Sequence, residues 1–307
     1  MGTEREPAVL HPEITAVFDR DPGLRTRLRV SPRVGFGGAV RSEDLATAAG
    51  TRIRSYRPEG TDLPRHCLVF AHGGGWTRGD LDTQDHLVRS VSEAAGCLAL
   101  SVDYRLAPTH HHPAPLLDLA DAVDHAATLL ADGAVGGQVV VAGASAGGHL
   151  TATTLLRLPA AARGAVGGMV LLYPKTDLTD DGERHPSLRR FDGRYGLSRP
   201  YGHEAYLGPA QRHAVEASPI HAVGFEGMPR TLVVTAELDP FRDEGEEFAR
   251  LLDQAGVPTA TIRFGGTVHG FLTHFPDSLD FSLAVASIAS FIRTTKERSD
   301  DVHRDPS

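Results

Sequence analysis

Short apolar runs alternate with amphipathic stretches along most of this chain, from Thr51 onward. Glycine, proline or polar residues bound each apolar run, a pattern typical of strands buried on both faces of a sheet. The stretches between the runs carry apolar residues at helical spacing. We therefore predict strands at about 52–56, 66–71, 96–102, 137–142, 168–173, 231–236 and 259–264. We predict helices near 83–95, 114–131, 145–157, 243–255 and 278–294.

The alternation of strands with helices of crossover length predicts an α/β fold, with a mostly parallel central sheet flanked by helices on both faces. In such sheets, ligands bind just beyond the carboxyl ends of the strands. Residues that directly follow the predicted strands are therefore the first candidates for chemistry.

Two intervals, 1–50 and 175–228, interrupt the alternation. The first holds scattered apolar positions, and the second holds several glycines, prolines and tyrosines without a clear strand. Because a long excursion within a compact domain usually has a function, we predict that both intervals contribute to a helical cap over the strand ends. The chain is then one domain, with its core at about 51–174 and 229–294 and a polar tail at 296–307 that we expect to lack fixed structure.

The length of 307 residues suits one α/β domain, and 41% apolar residues suit a globular protein. No apolar run approaches the length of a membrane span, and the N-terminus lacks the pattern of a secretory signal, so we expect neither. Cys67 and Cys97 lie in apolar strand patterns, so we expect two buried thiols in a reduced, cytoplasmic protein. The net charge of −8 argues against nucleic acid or an anionic membrane as a partner.

A candidate nucleophile follows the fourth predicted strand. The run Val139–Ala142 leads into Gly143-Ala-Ser145-Ala-Gly147, which has the form G-x-S-x-G, and then into a predicted helix. A nucleophilic serine needs this strand-to-helix context, because the glycines allow the sharp turn that exposes the hydroxyl. The pattern is short and weak by itself. Its interpretation depends on whether the other parts of a hydrolytic site are present.

The other parts are present, each after a predicted strand. Upstream, His72 is followed by three glycines and Trp76, and glycine backbone amides can approach a developing oxyanion closely. Downstream, Asp239 follows one strand and His269 follows the last, which supplies a carboxylate and an imidazole. The order Ser, Asp, His along the chain is that of the α/β-hydrolase triad.

On these motifs the chain resembles the bacterial hormone-sensitive-lipase-like carboxylesterases, a branch of the α/β-hydrolases. The resemblance covers most of the chain, from about residue 51 to 293. The motifs that carry it are His72–Trp76, Gly79–Leu81, Asp103–Pro108, Gly143–Gly148, Tyr173–Pro174, Ser218–Ile220, Asp239–Gly245 and His269–Phe271. Two positions depart from the family pattern, Ala144 before the nucleophile and Thr109 where an acidic residue is usual. Both lie beside the triad, so they put substrate preference and loop stability in question rather than the reaction type.

The resemblance agrees with the roles that the residue types suggest. Ser145 is the expected nucleophile, His269 the base, and Asp239 the acid that orients the imidazole. Two nearby carboxylates are rivals of Asp239. Glu237 could face the same way on an extended chain, whereas Asp243, with a glutamate three residues later, has the pattern of a capping pair for the following helix.

The expected oxyanion hole consists of backbone amides from the glycine run and from the start of the helix after Ser145. By resemblance, its donors are the amides of Gly74, Gly75 and Ala146. The residues expected to support it are His72, Gly73 and Trp76. We expect His72 to bond loop backbone rather than act on substrate, whereas Trp76 either lines the pocket or anchors the loop.

Three further features carry weaker signals. Consecutive histidines at His110–His112 point in different directions on most backbones and have no other ligand at suitable spacing, so we expect a solvated loop and no metal. His149, one turn into the helix after Ser145, is expected to pack or to form a hydrogen bond beneath the site. Tyr201, Tyr206 and Phe271 are candidates to face an acyl group, although apolar stripes more often belong to a core.

The sequence therefore predicts a serine carboxylesterase that acts on small or short-acyl esters through an acyl-enzyme, without a metal or organic cofactor. An acyltransferase, a lactonase or an amidase could use the same triad, and the sequence leaves these open. A non-catalytic small-molecule receptor is disfavoured because all three triad residues are present, and an elimination catalyst is a minor alternative. The expected partner is a small-molecule ester, and a homodimer is left open.

Overall fold

The computed structural model describes residues 10–12, 14–16, 40–179, 182–195, 201–209 and 214–295. The predicted tail at 296–307 and most of the predicted N-terminal part of the cap lie outside these residues. The centre of the fold is a sheet of eight strands in the order β1-β2-β4-β3-β5-β6-β7-β8. The strands are β1 (Val40–Ala46), β2 (Arg52–Pro58), β3 (Cys67–Ala71), β4 (Leu98–Val102), β5 (Val139–Ala144), β6 (Val166–Leu172), β7 (Arg230–Leu238) and β8 (Thr259–Val268).

The sheet is mostly parallel, as the sequence predicts. Strand β2 pairs antiparallel with both β1 and β4. The other neighbouring pairs, β4-β3, β3-β5, β5-β6, β6-β7 and β7-β8, are parallel. Each of the seven predicted strands corresponds to one of β2 to β8. All residues of β3, β4, β5 and β6 are buried, which explains their continuous apolar runs.

The assignment of residues up to 50 to the cap is wrong for Val40–Ala46. These residues form β1, the outer strand of the sheet, in antiparallel register with Arg52–Pro58. Most positions of β1 are exposed, and three of its seven residues are charged. An edge strand that packs on few neighbours needs no apolar run, and charged side chains at an edge discourage pairing with other chains. The pattern that predicts buried strands therefore cannot detect it.

Helices cover both faces of the sheet. Their bounds are α1 (Asp85–Ala95), α2 (Ala114–Ala131), α3 (Ala146–Arg157), α4 (Ala160–Arg163), α5 (Pro186–Phe191), α6 (His203–Leu207), α7 (Ala214–Ala217), α8 (Arg242–Gln254), α9 (Phe271–His274) and α10 (Leu279–Arg293). The five predicted helices correspond to α1, α2, α3, α8 and α10. None of the helices in the described ranges combines the length and apolar character that crossing a bilayer requires.

The two faces of the sheet bury separate clusters of apolar side chains. One cluster packs α2, α3 and α8 against the sheet, and the other packs α1 and α10 against the opposite face. Cys67 and Cys97 show the division, because both thiols are free and buried but they belong to different clusters. Burial raises the pKa of the Cys97 thiol to about 12, which keeps it protonated and unreactive.

The predicted cap interval 175–228 contains only short elements in its described part. These are α5, α6, α7 and one turn of 3₁₀ helix at Pro219–His221, with no strand among the described residues. We keep the name cap segment for the described residues of this interval. Its function as a roof over the site stays a prediction.

The register of β7 and β8 brings two of the candidate site residues side by side. Leu238 lies opposite Val268, so the residues that follow them, Asp239 and His269, leave the sheet together. This register depends on an irregularity in β8. Ala236 on β7 lies opposite Phe264 on β8, so β8 advances four residues to Val268 while β7 advances only two to Leu238. Without the two extra residues, Asp239 would lie beside a different residue of β8.

Candidate active site

Three of the predicted site residues form a continuous hydrogen-bonded chain. His269 Nε2 lies 2.8 Å from Ser145 Oγ, and His269 Nδ1 lies 2.8 Å from Asp239 Oδ2. Asp239 is fully buried, and its Oδ1 accepts the N–H of Phe241 at 2.8 Å. A carboxylate can only accept, so Nδ1 of His269 carries a proton and Nε2 is left to accept from the serine hydroxyl. The arrangement can therefore remove a proton from Ser145.

Ser145 lies in a strained turn between β5 and α3. Its φ and ψ are +55° and −116°, a conformation that non-glycine residues rarely adopt. The flanking glycines are required by close contacts, because a Cβ at Gly143 would lie 2.2 Å from the carbonyl oxygen of Gly147. A Cβ at Gly147 would lie 2.0 Å from the carbonyl oxygen of Ala71. The sequence G-x-S-x-G is thus the one that this turn allows.

The residues His72–Trp76, which we call the glycine loop, pass beside this turn. A Cβ placed on Gly73 would lie 3.5 Å from the Cβ of Ser145. Gly74 and Gly75 have positive φ values of +132° and +62°, which favour glycine. The loop follows β3, and Ala71 at the end of β3 lies opposite Gly143 in the sheet. The parallel register therefore places the loop and the serine at the same edge.

Three backbone amides at this edge are the candidates for the predicted oxyanion hole. Within the described part of the chain, no carbonyl or side chain accepts the N–H of Gly74, Gly75 or Ala146. Ala146 is the first residue of α3, so its N–H has no partner inside the helix and lies at the positive end of the helix dipole. Free amides next to a nucleophile are what an oxyanion needs.

The glycine loop is held by a buried network. His72 Nδ1 lies 2.7 Å from the carbonyl oxygen of Gly73, and the hydroxyl of Tyr104 donates to the carbonyl of His72 at 2.8 Å. The N–H of Gly73 donates to Gln84 Oε1 at 2.8 Å, and Gln84 Nε2 donates to the hydroxyl of Thr273 at 2.9 Å. Burial lowers the pKa of His72, so its imidazole is neutral. No sequence pattern links Gln84 to the loop, so its part in this network is visible only in the structure.

Trp76 anchors the loop rather than lining an open pocket. Its side chain is fully buried, and its indole N–H donates to His149 Nδ1 at 3.2 Å. The ring of Tyr206 stacks on the indole, with ring centres 5.2 Å apart. Tyr206 is also fully buried, so it belongs to the core here. Trp76 itself has a positive φ of +60°, a strained value for a tryptophan.

The cap segment contacts the glycine loop directly and reaches the imidazole through Phe241. A Cβ on Gly75 would lie 2.8 Å from the carbonyl oxygen of Tyr201, so the segment passes directly against the loop. The ring of Tyr201 packs on Phe241, and Phe241 packs on His269, with ring centres 4.9 and 5.1 Å apart. The hydroxyl of Tyr201 donates to Asp192 Oδ1 at 2.7 Å. One side of the His269 ring is therefore closed by aromatic side chains.

The expectation of a solvated loop at His110–His112 is wrong for two of the three residues. His111 Nδ1 lies 2.8 Å from the carbonyl oxygen of Ala205, and His112 Nδ1 lies 3.0 Å from the hydroxyl of Tyr206. These histidines connect the loop before α2 to the cap segment. In the described ranges, no group of three His, Cys, Asp or Glu side chains is placed to hold a metal ion.

Both rivals of Asp239 are engaged elsewhere. Glu237 Oε2 accepts the N–H of Gly266 at 2.8 Å and so holds the irregularity in β8. Asp243 Oδ2 accepts the N–H of Ser187 at 2.7 Å, which ties α8 to the cap segment. The geometry therefore favours Asp239 over both as the partner of the imidazole.

The expected capping pair of Asp243 and Glu246 does not form. Helix α8 begins at Arg242, two residues earlier than this pair requires, and Phe241 occupies its N-cap position without a side-chain cap. Glu246 instead accepts from the hydroxyl of Thr235 and pairs with Arg263. Glu246 therefore bonds side chains of β7 and β8 instead of capping its own helix.

A buried ion pair lies close to the triad. Lys175 Nζ donates to Glu244 Oε2 at 2.6 Å, and both side chains are almost completely inaccessible to solvent. Glu244 Oε1 also accepts the N–H of Thr176 at 2.6 Å. Lys175 Nζ lies 5.0 Å from the ring centre of Phe241, the residue that packs on His269. Burial raises the pKa of the Glu244 carboxyl, and the attraction of Lys175 opposes this shift.

We expect Glu244→Gln to lower the free energy of unfolding by about 3–5 kcal/mol, because it leaves the ammonium of Lys175 buried without its counter-charge. Lys175→Met combined with Glu244→Gln should recover much of this loss. Urea unfolding monitored by circular dichroism measures both effects. The control is Glu247→Gln, which removes an exposed ion pair with Arg250 on the same helix and should change stability little. Equal losses for the two single variants would contradict this account.

Comparison with known proteins agrees with the fold. Residues 68–273 match the sequence profile of a family described as alpha/beta hydrolase fold. The chain is 39% identical over 233 residues to the carboxylic ester hydrolase LipN of Mycobacterium tuberculosis, a match that covers 72% of this chain and 61% of LipN. It therefore spans less than two thirds of the length of that relative.

Two other matches cover almost the whole chain. The esterase LipI of M. tuberculosis is 31% identical over 300 residues, which covers 88% of this chain and 90% of LipI. The solved structure of a hyperthermophilic esterase from the archaeon Pyrobaculum calidifontis aligns with a TM-score of 0.80 and 31% identity. That alignment covers 93% of this chain and 98% of the other.

Proposed function

Since this chain belongs to the α/β-hydrolase family, in its bacterial hormone-sensitive-lipase-like branch, we propose that it is a serine carboxylesterase that hydrolyses small, short-acyl esters. The observation that carries the proposal is the hydrogen-bonded chain from Ser145 through His269 to Asp239. Relatives named as ester hydrolases support the same reaction class.

In the acylation step, Ser145 Oγ attacks the ester carbonyl carbon while His269 Nε2 takes the hydroxyl proton. The carbonyl oxygen becomes an oxyanion and accepts from the amides of Gly74, Gly75 and Ala146. Losing one such donor typically raises the barrier by about 3 kcal/mol. The protonated His269 then gives its proton to the leaving alcohol, and the acyl group stays on Ser145.

In the deacylation step, the same groups act on water. His269 Nε2 removes a proton from a water molecule, whose oxygen attacks the acyl carbon. The oxyanion forms again at the three amides and collapses with release of the acid, and Ser145 regains its proton from His269. Asp239 stays ionised throughout and stabilises each protonated imidazole. No metal or organic cofactor is required by these steps.

The contacts of the cap segment support a preference for short acyl groups. Tyr201 passes against Gly75 in the glycine loop, and its ring packs on Phe241 beside the imidazole. A segment in direct contact with the glycine loop leaves limited room next to the reacting carbonyl. We therefore propose that acetyl to hexanoyl esters fit and that longer chains do not.

The test is a kinetic series of p-nitrophenyl esters from acetate to decanoate with the purified full chain. We expect turnover of acetate and butyrate, with kcat/KM for butyrate at least about tenfold above that for decanoate, because each misplaced methylene costs binding energy. Adding a competing alcohol and analysing the products separates hydrolysis from acyl transfer. Absence of turnover with short esters, together with turnover of amides or lactones, would contradict the proposal.

A further inference from the structure

His149 is a buried histidine that the mechanism above does not use. It lies on α3, one turn after Ser145, and its N–H donates to the carbonyl of Ser145 at 3.1 Å. Its side chain is fully buried. Two hydrogen bonds hold its ring nitrogens: Trp76 Nε1 lies 3.2 Å from Nδ1, and the carbonyl oxygen of Ala217 lies 2.7 Å from Nε2. The hydroxyl oxygen of Thr153 is a more distant neighbour of Nε2, at 3.4 Å.

The chemistry of the two partners assigns the protonation of the ring. An indole N–H can only donate, so Nδ1 must be unprotonated, and a carbonyl oxygen can only accept, so Nε2 must carry the proton. His149 is therefore neutral, with a single tautomer that satisfies both partners. Burial lowers its pKa to about 3, which keeps this form at any physiological pH.

These bonds link three parts of the site. On one side His149 holds Trp76, which directly follows Gly75 and is strained at φ +60°. On the other side it holds Ala217 in α7 of the cap segment. The rings of Trp76, His149 and Tyr206 pack together, with centres 5.2 to 5.5 Å apart. The contacts of the Trp76 indole with His149 and Tyr206 thus hold the backbone of Trp76 in its strained conformation.

We propose that His149 is a positioning residue, which holds Trp76, and with it the Gly75 amide, beside Ser145 by accepting the indole N–H. The proposal rests on the proposed function, because the Gly75 amide matters only if an oxyanion forms there. The amide would act on the transition state more than on the bound ester, so displacing it should lower kcat and leave KM nearly unchanged.

Two variants separate the two hydrogen bonds of the ring. In His149→Asn, the side-chain oxygen can occupy the position of Nδ1 and accept from Trp76, but the shorter side chain cannot reach Ala217. In His149→Gln, the amide nitrogen can reach the carbonyl of Ala217, but no acceptor lies at the position of Nδ1. The first variant keeps the bond that the proposal requires, and the second keeps the other.

The experiment compares these variants with the wild type by kinetics on p-nitrophenyl butyrate, thermal unfolding and tryptophan fluorescence. Trp76 is the single tryptophan of the chain, so its emission reports on this contact directly. We expect His149→Gln to lower kcat about 10- to 100-fold at nearly constant KM, as a small misplacement of a catalytic group does. We also expect red-shifted emission that acrylamide quenches more strongly. His149→Asn should keep most of the wild-type kcat and emission.

Trp76→Phe removes the donor and serves as a second test. It should lower kcat to a similar extent at unchanged KM, and in its background the two His149 variants should have equal kcat. If His149→Gln does not fold, the kcat of Trp76→Phe still tests whether the hydrogen bond from the indole is needed.

Equal kcat and equal emission for the Asn and Gln variants in the presence of Trp76 would overturn the proposal, as would loss of thermal stability in both without loss of kcat. If the wild type cleaves no ester, the proposed function fails. The fluorescence comparison then still decides whether His149 holds Trp76.

Discussion

We expect Ser145→Ala to lower kcat for p-nitrophenyl butyrate by about 10⁵- to 10⁶-fold, because the triad acts as a unit and fails when its nucleophile is lost. Ser145 Oγ is the atom next to His269 Nε2, at 2.8 Å, and alanine has no atom there. Any residual rate should reflect binding and the free amides alone.

The fold should survive this change. Alanine keeps the Cβ of serine, so the strained φ of +55° costs about the same in both proteins. Circular dichroism and thermal unfolding check this point. Ser287→Ala, on the far helix α10, is a matched control that should retain wild-type kcat. If Ser145→Ala kept more than a few per cent of wild-type kcat, a different nucleophile would be responsible.

We expect Asp239→Asn to lower kcat by about 10⁴-fold through the wrong tautomer of the imidazole. Asp239 accepts from His269 Nδ1 with one oxygen and from the N–H of Phe241 with the other. An asparagine has one oxygen and one NH₂ group, so it cannot accept from both. If the oxygen stays with Phe241, the NH₂ faces Nδ1 and forces the proton to Nε2, where it blocks acceptance from Ser145.

The control for this variant is Glu237→Gln, which also removes one negative charge near the end of β7. The glutamine oxygen can still accept the N–H of Gly266, so the irregularity in β8 should persist and kcat should change only a few-fold. The comparison uses kcat for p-nitrophenyl butyrate at saturating substrate. A larger loss of kcat for Glu237→Gln than for Asp239→Asn would contradict this account, because it would make Glu237 the third residue of the triad.

The sequence predicts the central strands and the order of the site residues because both depend on local signals. Buried parallel strands require continuous apolar runs, as in β5 and β6, and such runs are visible without knowledge of the partners. The sharp turn at Ser145 requires glycine at Gly143 and Gly147, so the motif itself reflects a steric constraint. Residues at strand ends then meet because parallel strands end at one edge.

Other features depend on contacts between distant residues and leave no local signal. Strand β1 is exposed and polar, so its pairing with β2 is visible only in the assembled sheet. The irregularity in β8 that aligns His269 with Asp239 follows from pairing with β7. Lysine side chains usually lie at the protein surface, and only the pairing of Lys175 with Glu244 permits its burial.

The histidines show the same limit. Sixteen histidines occur in the chain, and sequence spacing alone assigns a role to few of them. The sequence predicts only that His149 packs or forms a hydrogen bond beneath the site, because its partners Trp76 and Ala217 lie 73 and 68 residues away along the chain. His111 and His112 bond the cap segment, which no pattern in the loop itself indicates.

The central claim is that one hydroxyl, one imidazole and three amides act on the same ester carbonyl. The most direct measurement is a crystal structure of the protein after reaction with an activated alkyl phosphonate, which mimics the tetrahedral intermediate. We predict phosphorus bonded to Ser145 Oγ, with the phosphoryl oxygen about 2.7–3.1 Å from the amide nitrogens of Gly74, Gly75 and Ala146. A phosphonate on another residue, or a phosphoryl oxygen directed away from these amides, would contradict the account.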